Sequence, residues 1–188
     1  PMKLNQPYYF NTNFGYQTNG RGRNFSIDTG KGYKNLGFNV GLSHIKIGDR
    51  HAPSYSLTNS GKEEKGFNIG LHYHLSNFDI KFYYSYVDLN LALLRSSIFH
   101  SGNAISRAIS SEEPLFIRPF SYDINEPNQL VDHHLAKVNI NWWYNENDKL
   151  SFVFGRQLNK RKEFDVRRNA EKPIICLLYT SDAADDSG

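Results

Sequence analysis

The sequence predicts an all-β fold, an antiparallel up-and-down transmembrane β-barrel of which about seven strands are present. Three observations predict it: seven segments alternate apolar and polar residues, the links between them alternate short and long, and aromatic residues gather toward segment ends. Alternation with period two makes a strand with one apolar and one polar face.

The first segment, 8–17, sets Tyr8, Phe10, Phe14 and Tyr16 opposite Asn11, Asn13 and Gln17. A shorter second segment covers 23–29. The third, 35–47, opposes Leu36, Phe38, Val40 and Leu42 to Asn35, Gly37, Asn39, Gly41 and Ser43. The fourth, 66–75, is the clearest: Phe67, Ile69, Leu71 and Tyr73 alternate with Asn68, Gly70, His72 and His74. In the fifth, 78–91, Phe78, Ile80, Phe82, Tyr84 and Tyr86 oppose Asp79, Lys81, Tyr83 and Ser85. Past Tyr86 the apolar residues move to Val87, Leu89 and Leu91, which predicts a bulge or an exit from the bilayer there. The sixth, 131–144, sets Val138, Ile140, Trp142 and Tyr144 against Lys137, Asn139 and Asn141. The seventh, 150–158, carries Arg156 on its apolar face between Phe154 and Leu158. That arginine belongs near the membrane interface, where a charge costs ~0–1 kcal/mol, or else the register is shifted.

A soluble sandwich would also alternate, with its apolar faces packed together. Here bulky aromatics (Tyr73, Trp142, Tyr144) stand toward strand ends, where a barrel places its interfacial girdle, and the polar face is rich in Asn, Gly and His. Most segments run 10–14 residues, longer than the ~5–6 usual in soluble sheets and close to the ~9–11 that cross a bilayer at a tilt. The links at 30–34, 76–77 and 145–149 are short and built of turn residues, whereas 48–65 and 92–130 are long. Outer-membrane barrels put short turns on the periplasmic side and long loops outside. The lipid-facing set is then Phe67, Ile69, Leu71, Tyr73, Ile80, Phe82, Tyr84, Val138, Ile140 and Trp142.

Composition agrees. Mean hydropathy is −0.60, yet aromatic residues make up 14% of the 188 residues. No apolar run approaches the ~18–20 residues of a membrane helix, and barrel strands score as polar on average. With Pro1 first and no charged-then-apolar leader, the chain reads as cut from a longer one. Residues 176–188 read as non-native: ten consecutive residues from Cys176 match a frame translation of a transposase-type sequencing adapter, and they are set aside from residues 1–175. Without that tail the segment has no cysteine, and losing Asp182, Asp185 and Asp186 takes the formal charge from +3 to +6. The basic residues form no helical stripe or aromatic platform, so nucleic-acid binding is not expected.

The stretch between Leu93 and Val138 is the most specific. It carries Leu94-Arg95, His100-Ser101-Gly102-Asn103, Glu112-Glu113-Pro114, Phe120-Ser121-Tyr122, Pro127-Asn128-Gln129 and His133-His134-Leu135. This order and spacing resembles the barrel region of TonB-dependent receptors of the Bacteroidetes type. Arg161 to Arg168 is similar to the family's next loop, and Asp49-x-His51-Ala52-Pro53-x-Tyr55 to an earlier one. The chain departs from the family at Ser96, at Asn169-Ala170-Glu171 and at Arg156.

The resemblance implies an outer-membrane receptor, with no cofactor or catalytic residue, for energised uptake of a siderophore, cofactor-like molecule, oligosaccharide or peptide. Its partners would be outer-membrane lipid, lipopolysaccharide and, through a plug and contact box absent here, the TonB system. Seven strands are then one arc of the ~22 such transporters use. A barrel enzyme is one alternative, and a soluble secreted glycan-binding sandwich is another.

Candidate sites follow from the longest link, because loops beyond ~12–15 residues are usually functional or disordered. Arg95, His100, Asn103, Arg118 and Tyr122 are its side chains best able to contact a polar ligand. His133 and His134 are adjacent in a strand, so they point to opposite faces and do not share a metal ion. Glu112 and Glu113 lack an identifiable acid–base partner. The basic run at 160–162 with Arg167 and Arg168 reads as a solvated loop or as contact with lipopolysaccharide phosphates, ahead of a sharper alternative, attraction of an anionic ligand such as a metal–siderophore complex.

Overall fold

The computed structural model describes residue 4 and residues 7–97, 102–165 and 174–186. Its chain runs up and down through β1 (Tyr9–Gln17), β2 (Gly22–Tyr33), β3 (Leu36–Ile47), a small hairpin of β4 (Arg50–His51) and β5 (Ser56–Leu57), then β6 (Lys62–Leu75) and β7 (Phe78–Ala92). A single turn at Arg95–Ser97 and helix α1 (Gly102–Ile109) interrupt the long link before β8 (Asn128–Trp143), β9 (Lys149–Phe164) and β10 (Ile174–Asp186). Eight strands form one open antiparallel sheet in the order β1-β2-β3-β6-β7-β8-β9-β10, and every neighbour in space is a neighbour along the meander. The all-β, up-and-down architecture expected from alternation is present, and the sheet does not close on itself.

The connections segregate by length. The tight turns Lys34-Asn35 and Ser76-Asn77 and the 144–148 turn lie at one end; residues 18–21, 48–61 and 93–127 cross the other. Lys34 and Ser76 sit at φ 51° and 40°, the sign that hairpin turns matched to strand twist need at their first residue. In the third turn, Asn145 Oδ1 accepts from the Asn147 and Asp148 amides at 3.0 and 2.7 Å. That side-chain bond is the local alternative to a backbone turn that Asn offers.

Several boundaries differ from the sequence expectation for one reason. β6, β8 and β9 run past their apolar stretches into Lys62–Lys65, Asn128 and Lys160–Phe164, because backbone pairing continues where side chains turn polar. The basic run at 160–162 is therefore strand, with Lys160 opposite Asp132. β2 likewise continues through Gly30, Lys31 and Gly32, which read as a turn but pair with Asn39, Phe38 and Gly37. Of the two readings of the shift after Tyr86, a bulge or an exit from the bilayer, the bulge is absent: pairing is unbroken from Phe78 to Leu91 on both sides. The segment set aside from residue 176 onward pairs along β9 as an eighth strand. Such pairing to an open edge uses backbone groups alone, so it carries no information about where the segment came from.

Little of this chain is interior. Its accessible surface is 12563 Å², against ~9,200 Å² expected for a compact monomer of 21.7 kDa. Among the described residues Ala92 is the buried hydrophobic one, whereas Phe14, Leu42, Phe152 and Phe154 are between 48% and 71% exposed.

Candidate functional site

Register decides what the two faces are. Rows run straight across the sheet: Leu36–Tyr73–Ile80–Ile140–Phe152, then Phe38–Leu71–Phe82–Val138–Phe154, then Val40–Ile69–Tyr84–Ala136–Arg156. All ten residues predicted to face lipid fall on this one face, and no described element covers it. The turn-side edge is aromatic: Phe78 stacks on Trp142 at 5.7 Å, and Trp142 meets Tyr144 edge-on at 6.0 Å. Arg156 keeps the register read from the sequence and lies two rows inside the charged edge of this face, opposite Ala136 in the row of Ile69 and Tyr84.

The opposite face is kept flat by glycine. Asn24, Asn39, Ser43 and Asn68 each lie across a directly paired glycine (Gly15, Gly70, Gly66 and Gly41), where a Cβ would collide with the side chain. Nearer the turns this face holds a charged cluster, in which Asp79 contacts His72 and accepts from Lys81 Nζ at 3.0 Å. His72 and Asp79 are buried there, and buried charges persist only when paired in this way.

Toward the long loops the faces exchange character. On β3, His44 and Lys46 occupy the formerly apolar face while Ile45 and Ile47 occupy the other; on β7, Asp88 and Asn90 replace aromatics while Val87, Leu89 and Leu91 cross over. Along this rim Glu63 gathers His44 Nε2 at 3.1 Å, Lys46 at 3.5 Å and Lys65 at 3.6 Å. The hydrogen bond to His44, with help from the two lysine charges, holds the Glu63 carboxyl below its ordinary value despite partial desolvation. Tyr84 Oη lies 2.9 Å from His134 Nδ1 on the apolar face, whereas His133 meets Asn159 on the other. The two histidines diverge as strand geometry requires, and among the described residues no group of three His, Cys, Asp or Glu is placed to hold a metal ion.

Above the rim, three links knit into one layer. Asp49, 4% exposed, accepts from the Ser60 amide at 3.0 Å and the Ser121 amide at 3.3 Å. Asn59 donates to the carbonyls of Leu93 and Pro127 at 2.9 and 2.8 Å and accepts from the Asn125 amide at 3.0 Å. Thr58 Oγ1 accepts from the Arg118 amide at 2.8 Å. Tyr122 donates to the carbonyl of Arg21 at 2.9 Å, fixing the returning loop over the β1–β2 link.

Two of the five predicted ligand residues meet. Arg95 and Arg118 lie 5.0 and 4.7 Å from the centre of the Phe116 ring and line one cleft of about 220 Å³. Asp49, Asp123 and Glu126 line the same cleft, so its charge is mixed. Tyr122 is not in it: edge-on to Phe120 at 5.0 Å, it lines a separate cavity of about 420 Å³ at the rim, beside Arg23, His44 and Lys46. Asn103 is exposed on α1 and outside the cleft; His100 lies outside the described residues. Phe116 and Asn59 were not singled out from the sequence, and Asp49 was named only within a loop motif, yet these residues bring the segments together across long separations. For Asn59 the local clue was the Asn59-Ser60-Gly61 turn signal, with Asn59 at φ 59°.

What the fold and surfaces define is a two-faced antiparallel meander with a structured loop layer at one end. No family model, curated protein or solved structure matches the chain.

Proposed function

We propose that this chain is an arc of the wall of an outer-membrane barrel, a TonB-dependent receptor that imports a nutrient. The carrying observation is the register-aligned apolar face, uncovered along its length and ending at a rim where polarity inverts. From Phe67 to Leu75 that face spans about 27 Å along the strand at ~3.4 Å per residue. At a tilt near 40° this is about 21 Å of height, close to the ~25 Å apolar band of outer-membrane barrels. A sandwich would need a second sheet against these rings, and water would solvate them poorly. The Gly- and Asn-lined face suits a wet lumen, and the loop layer would stand outside the cell. Its cleft with Arg95, Phe116 and Arg118 is where a polar ligand with a planar or anionic group would first be held.

The test is lipid contact residue by residue. In a Cys176→Ser chain refolded into bilayers, single cysteines across 67–73 carry a fluorophore, and brominated acyl chains serve as quencher. Quenching at 67, 69, 71 and 73 but not at 68, 70 and 72 is expected. A chain recovered from buffer without detergent as a soluble monomer would overturn the reading.

A further inference from the structure

We infer that the cleft of Arg95, Phe116 and Arg118 is an amphoteric site, which takes a small ligand carrying both a carboxylate and a primary ammonium: an α-amino acid or a dipeptide. This rests on the receptor reading above and names the substrate class of that same cleft. Its cations are Arg95 and Arg118, and its available anions are Asp123 and Glu126. Both sets hang from one dipeptide of the 48–61 link. The Thr58 carbonyl accepts from the Arg95 amide at 3.1 Å, and Thr58 Oγ1 accepts from the Arg118 amide at 2.8 Å. The Asn59 side chain accepts from the Asn125 amide and donates to the Pro127 carbonyl, so the backbone is held on both sides of Glu126. A site positioned before its ligand arrives loses less freedom on binding.

These charges share one small cleft without neutralising one another. Among the described residues no ion pair joins Arg118 to Asp123 or to Glu126. Asp123 accepts from the Ser121 hydroxyl with one oxygen, at 3.0 Å, and the other remains open. Asp49 lines the cleft too, but both its oxygens are taken by the Ser60 and Ser121 amides. Three carboxylates therefore accompany two guanidiniums, and a ligand charged with one sign alone meets repulsion as well as attraction. A ligand with one charge of each sign escapes that conflict. Its carboxylate belongs with the arginines, whose planar forks can grip it while they rest on the Phe116 ring. Phe116 is the one aromatic ring among the described residues of the cleft, and the guanidiniums already occupy it. No aromatic cage is left for a quaternary ammonium, so the cation is one that donates N–H bonds to carboxylates. At about 220 Å³ the cleft is smaller than the ~300–1,000 Å³ of sites for drug-sized ligands, which restricts it to small molecules.

The test titrates alanine, alanyl-alanine, N-acetyl-alanyl-alanine and alanyl-alanine amide into the 188-residue chain refolded in nonionic micelles at neutral pH, with affinities read by saturation-transfer NMR. Both unblocked compounds should bind, and the tighter one tells whether a free amino acid or a peptide fits better. An exposed charge contact is worth up to ~1 kcal/mol, so each blocked form should bind about fivefold more weakly than alanyl-alanine. R118Q should reduce the discrimination against the amide, and E126Q that against the acetylated form. K31Q, at the turn end, should change neither. Equal binding of blocked and unblocked dipeptides overturns the inference without any variant, as does discrimination unaltered in both R118Q and E126Q. The quenching series across 67–73 reports on the receptor reading separately. If alternation persists while all the dipeptides bind alike, the inference falls alone; if alternation is absent, the underlying reading falls.

Discussion

The two ends of the same strands obey opposite rules. Toward the turns, β3 and β7 put aromatic and aliphatic side chains on one face and small or polar ones on the other; toward the loops, the same strands reverse that assignment without a bulge or register shift. Backbone pairing is indifferent to the change, so the reversal lies in the side chains alone. Where apolar side chains stay exposed on a continuous face, solvent water is a poor environment for them. Where Glu63, Lys46 and Asp88 take over that face, water is the natural surrounding. On the membrane reading proposed above, a parity switch inside an unbroken strand marks a boundary between media.

The strongest way to break this comparison is to move charge across the boundary. Leu71→Arg, in the middle of the apolar face, should destabilise the chain in lipid vesicles by about 2–4 kcal/mol. Asp88→Arg, on the same face beyond the rim, should cost about 0–1 kcal/mol. Urea unfolding of both variants in vesicles measures the difference; equal costs would remove the boundary.

The next effect belongs to the loop layer. Asn59 is 5% exposed and serves three backbone groups, so Asn59→Ala should cost about 1–3 kcal/mol from unsatisfied partners. Amide hydrogen exchange should quicken at Asn125 while the Phe67–Tyr73 amides keep their protection. Acceleration across both regions would mean that the two ends are one cooperative unit.

How much was legible follows the same division. The strands of the apolar face were readable because a sheet with one apolar and one polar face imposes period two, and Phe67 to Tyr73 showed it without interruption. The loop-side extensions were not, because Lys62 to Lys65 and Lys160 to Lys162 carry charge on both faces and leave no period. The Arg95–Phe116–Arg118 cleft was half legible. Length marked the loop as a candidate, and the two arginines were chosen for their chemistry. Their convergence depends on Asp49, Thr58 and Asn59, residues from a different link whose hydrogen bonds span about 60–70 positions. Tyr122 was misplaced for the same reason: its partner is the carbonyl of Arg21, far away in sequence.

Glycine sharpens the comparison at smaller cost. A Cβ on Gly48 would lie 2.7 Å from the Ser121 carbonyl oxygen and 2.6 Å from the Phe120 ring, groups that cannot easily turn away. Gly48→Ala should therefore cost about 1–3 kcal/mol and loosen the loop layer. At Gly70 a Cβ would meet the Asn39 amide, the far end of a side chain that can rotate. Gly70→Ala should stay within about 1 kcal/mol, and thermal unfolding in micelles distinguishes the two.

The smallest effect is a pH dependence confined to the rim. Folding holds the Glu63 carboxyl below its ordinary value of 4.5, chiefly through the His44 hydrogen bond and then through Lys46 and Lys65. A depressed carboxylate pKa contributes stability that is fully present above the unfolded value and is lost as pH falls through the folded one. Stability should therefore decline on acidification below about 4.5, as the unfolded chain takes up the Glu63 proton before the folded one does. Glu63→Gln should flatten that part of the acid limb and leave stability above it nearly independent of pH. Urea unfolding across the acid range in micelles reads the slope. A Glu63→Gln profile parallel to that of the parent would show that the rim charges are already satisfied by solvent. Their difference from the turn end would then be one of residue type alone.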